Sequence, residues 1–203
     1  MYCPNDMNTA WNDELMAREQ YENALAELSH WQDYECYTVF VDACKRLGLS
    51  GGLWDIGCGA GQYGRLWLDE CGGLAYGGTD HVHQMGYARK MTPELGAAGW
   101  LLQSEGTSVV LASCSQEYTA YPPAELWNLI KSCIYTVIIH RVRFQAFGDY
   151  GAFVSEPAWG DKIVPMWRWN RDEFNQLIKA TGRDVEAIQW EDHRQWTFVI
   201  SPR

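Results

Sequence analysis

Three things are scarce in this 203-residue chain, and each scarcity removes a class of protein. No apolar run approaches the roughly 20 residues needed to cross a bilayer, so no membrane partner is expected. Basic residues are few. Sixteen Lys and Arg stand against twenty-six Asp and Glu, a net charge of −10, and no Lys/Arg cluster offers a surface for phosphates, which argues against a nucleic-acid binder. Paired cysteines are missing. Cys3, Cys36, Cys44, Cys58, Cys71, Cys114 and Cys133 form no Cys-x-x-Cys unit and no His/Cys cluster of zinc spacing, so no metal is expected and reduced thiols in a cytoplasm are the natural reading. The opening Met1-Tyr2-Cys3-Pro4-Asn5-Asp6 has neither the basic nor the apolar region of a secretory leader.

What is present suits one compact domain. Apolar residues make up 47% and charged residues 21%, which is enough to build a core, and eleven tryptophans supply rings for an aromatic-lined pocket. Residues 10–48 carry helical periodicity, with a cap from Asn12, Asp13 and Glu14. From residue 53 strands and helices alternate. Leu53–Ile56, Leu74–Thr79, Ser108–Ser113 and Ile134–Ile139 read as strands, and Trp100–Gln103 as a short edge strand. Helices are expected over 84–90, after Pro122-Pro123, and after Asn170, whose pairing with Glu173 is a capping pattern. Residues 150–169 look extended, with a hairpin around Gly160-Asp161, and strands near Val185–Trp190 and Trp196–Ile200 end the chain. The expected fold is a Rossmann-like α/β sheet. It has six to seven mostly parallel strands, an antiparallel C-terminal strand and helices on both faces. A helical cap over 1–50, a main domain over 51–203 and an extended insert over 145–170 complete it.

Asp55-Ile56-Gly57-Cys58-Gly59-Ala60-Gly61 lies between the first strand and its helix. Alternating glycines let a ligand approach the backbone, at the strand edge where open α/β sheets bind ligands. Gly59-x-Gly61-x-x-Gly64 also satisfies the dinucleotide fingerprint. Asp55, however, is a poor neighbour for a pyrophosphate and a good one for a cationic sulfonium amino acid.

This loop resembles motif I of the class I S-adenosylmethionine-dependent methyltransferases. Asp80, 25 residues after Asp55, matches the acidic residue that binds the ribose hydroxyls in that family. Asp80-His81-Val82-His83-Gln84-Met85 resembles the family's Asp-hydrophobic-Ser-Pro-Glu-Met, and Val109-Leu111-Ala112-Ser113 its fourth strand. The resemblance spans roughly 35–200. It implies S-adenosylmethionine as cofactor and S-adenosylhomocysteine as product. Asp55, Gly57, Cys58, Gly59, Gly61, Asp80 and Ser113 would line the cofactor site. His81 either stacks on the adenine or lies at the surface, Met85 either lines the adenine pocket or is core, and Gln103 or Glu105 stands in for the missing adenine-binding Asp.

In-line methyl transfer needs a base only when the nucleophile is protonated. His140, placed at the end of the Ile134–Ile139 strand, is the candidate base, against the alternative of a histidine that satisfies backbone. Arg141 and Arg143 either orient a carboxylate or phosphate on the acceptor or are solvated charges. Residues 112–118 and 136–144 also resemble methyltransferases encoded among bacterial polysaccharide and secondary-metabolite genes, which favours a small-molecule acceptor with an oxygen or nitrogen nucleophile. Glu117, Tyr118 and Trp159, with Trp167 and Trp169, either face the acceptor or belong to surface and core. Tyr21, Trp31 and Tyr34 would close over the site as a lid, and Tyr63 would point into the same region. Two other functions stay open: an inactive cofactor-binding scaffold subunit, and an NAD(P)-dependent oxidoreductase.

Overall fold

The computed structural model describes residues 13–95, 100–101, 106–115, 118, 122–145, 151–157, 163–191 and 194–203. Among the described residues, a seven-stranded sheet runs in the order β3-β2-β1-β4-β5-β9-β8. Its strands are β1 (Gly51–Ile56), β2 (Gly73–Thr79), β3 (Trp100–Leu101), β4 (Thr107–Ser113), β5 (Thr136–Arg143), β8 (Val185–Gln189) and β9 (Gln195–Ile200). The first five are parallel, and β9 pairs antiparallel with both β5 and β8. A separate antiparallel pair, β6 (Ala152–Pro157) and β7 (Ile163–Arg168), forms the hairpin expected in the insert.

Six α-helices among the described residues surround the sheet: α1 (Glu14–Leu28), α2 (Glu35–Arg46), α3 (Gln62–Glu70), α4 (Val82–Met91), α5 (Pro122–Ser132) and α6 (Arg171–Ala180). Strand alternation divides the core. Phe40 and Cys44 of α2, Leu66 and Trp67 of α3, and Leu53, Leu111 and Ile138 of the sheet form one layer. Leu126 and Ile130 of α5, Phe174 and Ile178 of α6, and Val110, Val137, Ile139 and Phe198 form the layer on the other face. The two caps expected at helix starts are made: the Met16 N–H donates to Asp13 Oδ1 at 3.1 Å and the Glu173 N–H to Asn170 Oδ1 at 2.9 Å.

Several boundaries move, for tertiary reasons. The helical stretch expected over 10–48 consists of α1, a 3₁₀ turn at Trp31–Asp33 and α2. Phe40 and Cys44 of α2 are fully enclosed in the sheet core. Helix α1 lies over a neighbour. Gln84 Nε2 of α4 donates to Gln20 Oε1 at 2.7 Å, and Tyr21 meets Tyr87 at 5.1 Å between ring centres. Strand β5 starts at Thr136, leaves Ile134 exposed and continues through His140 to Arg143. A register shift against β9 between Ile139 and Val142 coincides with a left-handed backbone at Arg141, φ 62°. Trp167 and Trp169 pack in the α5/α6 layer with Phe174, so these two rings face away from the Asp55 side of the sheet.

Candidate functional site

The glycine loop leaves β1 at the carboxyl edge of the sheet. Gly57, Gly59 and Gly61 all have left-handed backbones, at φ 70°, 52° and 86°. Their surroundings differ. A Cβ on Gly57 would collide with Ser115, and one on Gly61 would lie 2.8 Å from Ala88 Cα. A Cβ on Gly59 would meet only Gln62 Oε1, at 4.0 Å. The loop is therefore walled at its two ends and open at its centre.

Two carboxylates flank it. Asp80 is held at both oxygens: the Gly59 N–H donates to Oδ2 and the His81 N–H to Oδ1, each at 2.7 Å. A carboxylate has about four acceptor positions, so two remain for a diol. Burial raises the Asp80 pKa, and the two backbone donors oppose the rise. Asp55 is fully buried on β1, on the face shared with Leu53 and Leu111. Tyr76 donates its hydroxyl to Asp55 Oδ2 at 3.3 Å, whereas Oδ1 has no partner. Burial pushes Asp55 up to about 8, with the Tyr76 hydrogen bond opposing and the nearby Asp80 charge adding to the rise.

Further polar atoms at this edge are buried without partners: Gln62 Oε1, the Tyr63 hydroxyl, Ser113 Oγ, Ser115 Oγ and Arg141 Nε. Buried polar atoms are nearly always paired, and a cluster of orphans beside an open glycine is the signature of a ligand site. An acidic residue for a ligand cation, a second for a diol and backbone room over Gly59 together fit S-adenosylmethionine. No phosphate is required, and none would be welcome beside Asp55.

The remaining expected residues are distributed as follows. Cys58 is buried, its thiol pushed well above the ordinary value by burial and by the charges of Asp55 and Asp80. His81 precedes α4 and is half-buried, and Met85 packs against the main core. Tyr21 packs on Ala60 of the loop together with Ala24 and Met91. Trp31 and Tyr34 are half-buried against the main core, and Tyr34 begins a run of rings through Tyr37 and Tyr63 to His140. Tyr118 is half-buried, its N–H donating to Ser115 O at 3.2 Å. Arg143 ends β5 opposite Gln195. Gln103, Glu105, Glu117 and Trp159 lie outside the described residues. Tyr76, Gln62, Ser115, Cys36 and Tyr37 were not among the expected site residues. Gln62 and Ser115 adjoin motif positions and could have been suspected. Tyr76 sits in an ordinary strand and gave no signal.

His140 does not suit the role of a base. Its Nε2 lies 2.8 Å from the Cys36 carbonyl, which can only accept, so Nε2 carries the proton. Nδ1 lies 2.8 Å from Thr197 Oγ1, which in turn accepts from Trp190 Nε1 at 3.0 Å. Thr197 therefore donates to Nδ1, and no lone pair is left for a substrate proton. Burial, together with the Arg141 charge, lowers the His140 pKa to about 3, so the ring is neutral at any working pH. The histidine ties α2 to β5 and β9. In ¹⁵N NMR it should hold one neutral Nε2–H tautomer from pH 5 to pH 8, and a titration midpoint near 6.5 would contradict this assignment.

No family model and no curated protein matches the sequence. Solved structures do match its fold. DesVI of Streptomyces venezuelae superimposes with a TM-score of 0.59 at 15% identity, covering 88% of this chain and 97% of that one. CalS10, an amino pentose methyltransferase from Micromonospora echinaspora involved in calicheamicin biosynthesis and solved with S-adenosylmethionine bound, gives 0.56 at 12% identity, covering 91% and 92%. The Burkholderia thailandensis 1,6-didemethyltoxoflavin-N1-methyltransferase, solved with 1,6-didemethyltoxoflavin and S-adenosylhomocysteine, gives 0.55 at 11% identity, covering 98% and 89%. The chain shares its fold with DesVI and with these two methyltransferases. Among the described residues, no helix is long and apolar enough to cross a membrane, and no group of three or more His, Cys, Asp or Glu could hold a metal.

Proposed function

We propose that this protein is an S-adenosylmethionine-dependent methyltransferase acting on a small molecule through an oxygen or nitrogen nucleophile. The observation that carries the reading is the pair Asp55 and Asp80 on either side of the open Gly59, on a fold shared with methyltransferases. Asp80 would bind the ribose diol and Asp55 the cationic amino-acid end, with the orphaned Gln62, Ser113 and Ser115 atoms completing the site. The cofactor supplies an electrophilic methyl on a sulfonium. What the chain contributes is alignment, because holding a nucleophile in line can supply about 7–11 kcal/mol of a barrier. Helix α1 and the turn that follows it would roof the site through Tyr21, Trp31 and Tyr34. No proton transfer is assigned to His140.

The acidic flank of the loop counts against the nicotinamide alternative, whose pyrophosphate would have to sit beside Asp55. Calorimetric titration with S-adenosylhomocysteine tests the reading. Binding in the micromolar range is expected, with NAD(P) giving no heat. Asp80→Ala should weaken S-adenosylhomocysteine by tenfold or more, since a charge-assisted hydrogen bond contributes about 1.5–3 kcal/mol. Binding of NAD(P) in place of S-adenosylhomocysteine would reject the assignment.

A further inference from the structure

Among the described residues, two arginines, Arg183 and Arg141, are treated in opposite ways. Arg183 is fully satisfied: its guanidinium donates to four carbonyls, Ser201 O at 2.6 Å, Ile130 O at 2.9 Å, Cys133 O at 2.9 Å and Tyr135 O at 2.5 Å. That is how this fold holds a structural arginine. Arg141 has none of this. Its Nε is buried without an acceptor, and none of the five ion pairs among the described residues involves it.

The groups around Arg141 are Tyr63, Cys114, Cys36, Tyr37 and the neutral ring of His140. Burial pushes Tyr63, Tyr37 and Cys36 up and holds His140 neutral, so none of these four is an anion at neutral pH. An enclosed guanidinium without a counter-ion is costly, and so is a left-handed backbone on a residue with a side chain, about 1–3 kcal/mol. Among the described residues both costs fall on Arg141, at the bulge where β5 leaves its register with β9. The hydroxyls of Tyr63 and Ser113 are also buried and lie against one another, with the Cys36 thiol beside Tyr63. The strand positions place this cluster beside the cofactor loop: Ser113 pairs with His140 across β4 and β5, and Ser115 covers Gly57.

We propose that Arg141, with the hydroxyls of Tyr63 and Ser113, forms an oxyanion subsite that selects acceptors carrying a carboxylate or phosphate. The inference rests on the methyltransferase reading and adds a substrate class to it. The site is then polarised. Asp55 and Asp80 take the cationic nucleoside on one side of β4, and Arg141 takes the anionic end of the acceptor on the other. Arginine suits this task because its planar fork matches two oxygens of a carboxylate or phosphate at once. It also explains how a chain of net charge −10 can receive an anion, since the attraction has to be local.

The test follows thermal unfolding of the full chain, free and saturated with S-adenosylhomocysteine, against sodium phosphate and, separately, sodium acetate. Sodium chloride of equal ionic strength is the reference. At least one of the two anions should raise Tm by about 3 °C beyond chloride at tenfold over its Kd, and the stronger of the two identifies the acceptor group. Arg141→Met should abolish that rise and leave S-adenosylhomocysteine affinity within about twofold. Tyr63→Phe should reduce the rise while the fold is kept. Should Arg141→Met not fold, Arg141→Lys takes its place, expected to keep the charge and weaken the anion effect by about tenfold. No rise with either anion in the wild-type protein overturns the proposal, as does a rise that survives Arg141→Met or Arg141→Lys unchanged. A tenfold loss of S-adenosylhomocysteine affinity in the Arg141 variants also overturns it, because Arg141 would then serve the cofactor's own carboxylate. Failure of the wild-type protein to bind S-adenosylhomocysteine, with the anion rise intact, would instead reject the methyltransferase reading on which the substrate class depends.

Discussion

Asp55→Asn is expected to stabilise the ligand-free protein at pH 8 and to cost at least about a hundredfold in S-adenosylhomocysteine affinity. Both effects come from the same atom pair. The Asp55 carboxyl is fully buried, accepts one long hydrogen bond from Tyr76 and leaves Oδ1 without a partner. Burial holds its pKa up at about 8, well above the ordinary carboxylate value. Between roughly pH 4 and pH 8 the folded protein therefore keeps a proton that the unfolded chain has lost. The stability this group contributes is complete below about pH 4 and declines as pH rises to about 8, at no more than about 1.4 kcal/mol per pH unit. Asparagine keeps the shape and the acceptor for Tyr76 and removes the proton linkage. Urea melts at pH 5, 6.5 and 8 would show it: the wild-type slope against pH is steeper than that of the variant. Equal slopes would mean that Asp55 is ionised in the free protein.

The same carboxyl sets the pH dependence of binding. A cationic ligand favours the ionised form, so binding near pH 7 expels a proton and affinity climbs towards pH 8. Titrations in buffers of different ionisation enthalpy should reveal that proton. Its absence would place the ligand's positive end elsewhere.

Gly61→Ala and Gly59→Ala should part company, although both replace a left-handed glycine of one loop. At Gly61 the new methyl lies 2.8 Å from Ala88 Cα and 3.0 Å from Ala88 Cβ, with φ at 86°. Ala88 is fully buried in α4 and cannot yield. Backbone strain of about 1–2 kcal/mol and overpacking of about 1–3 kcal/mol add up to a large fraction of the 5–15 kcal/mol that holds a domain together. A fall in Tm of roughly 10 °C or loss of soluble protein is expected. At Gly59 the new methyl enters open space, with φ at 52°. Only the backbone strain remains, so the protein should fold with a Tm lowered by a few degrees. It should nevertheless bind S-adenosylhomocysteine at least tenfold more weakly, because the methyl occupies the approach to the loop. A Gly59→Ala protein with normal affinity would remove the loop from the binding site.

Much of the architecture could be read from local rules. Asp13 and Asn170 carry acceptors where a helix must start, and both cap as expected. Apolar runs separated by glycine loops and amphipathic helices led to the parallel sheet, and the polar turn before Trp196 to its antiparallel end. The spacing of Asp55, the glycines and Asp80 was equally legible, because a β-loop-α unit brings such residues together whatever surrounds it. Local rules failed where the answer depended on what arrives from far along the chain. Helix α2 reads as helical by periodicity, yet which strands enclose its apolar face depends on residues that come later. Trp167 and Trp169 read equally well as pocket rings and as core, and only the side of the sheet on which they pack decides.

The amino-acid order alone determined a Rossmann-like frame, its glycine loop and the two acidic positions beside it, because those features are written within single strand-loop-helix units. The tertiary structure alone decided the fates of His140 and Arg141, two neighbours on one strand. His140 met the Cys36 carbonyl and Thr197, 104 residues before it and 57 after it, and lost its proton chemistry. Arg141 met no acceptor for its Nε among the described residues. Whether a side chain is satisfied or left waiting is a property of distant partners, and the sequence around it carries no trace of them.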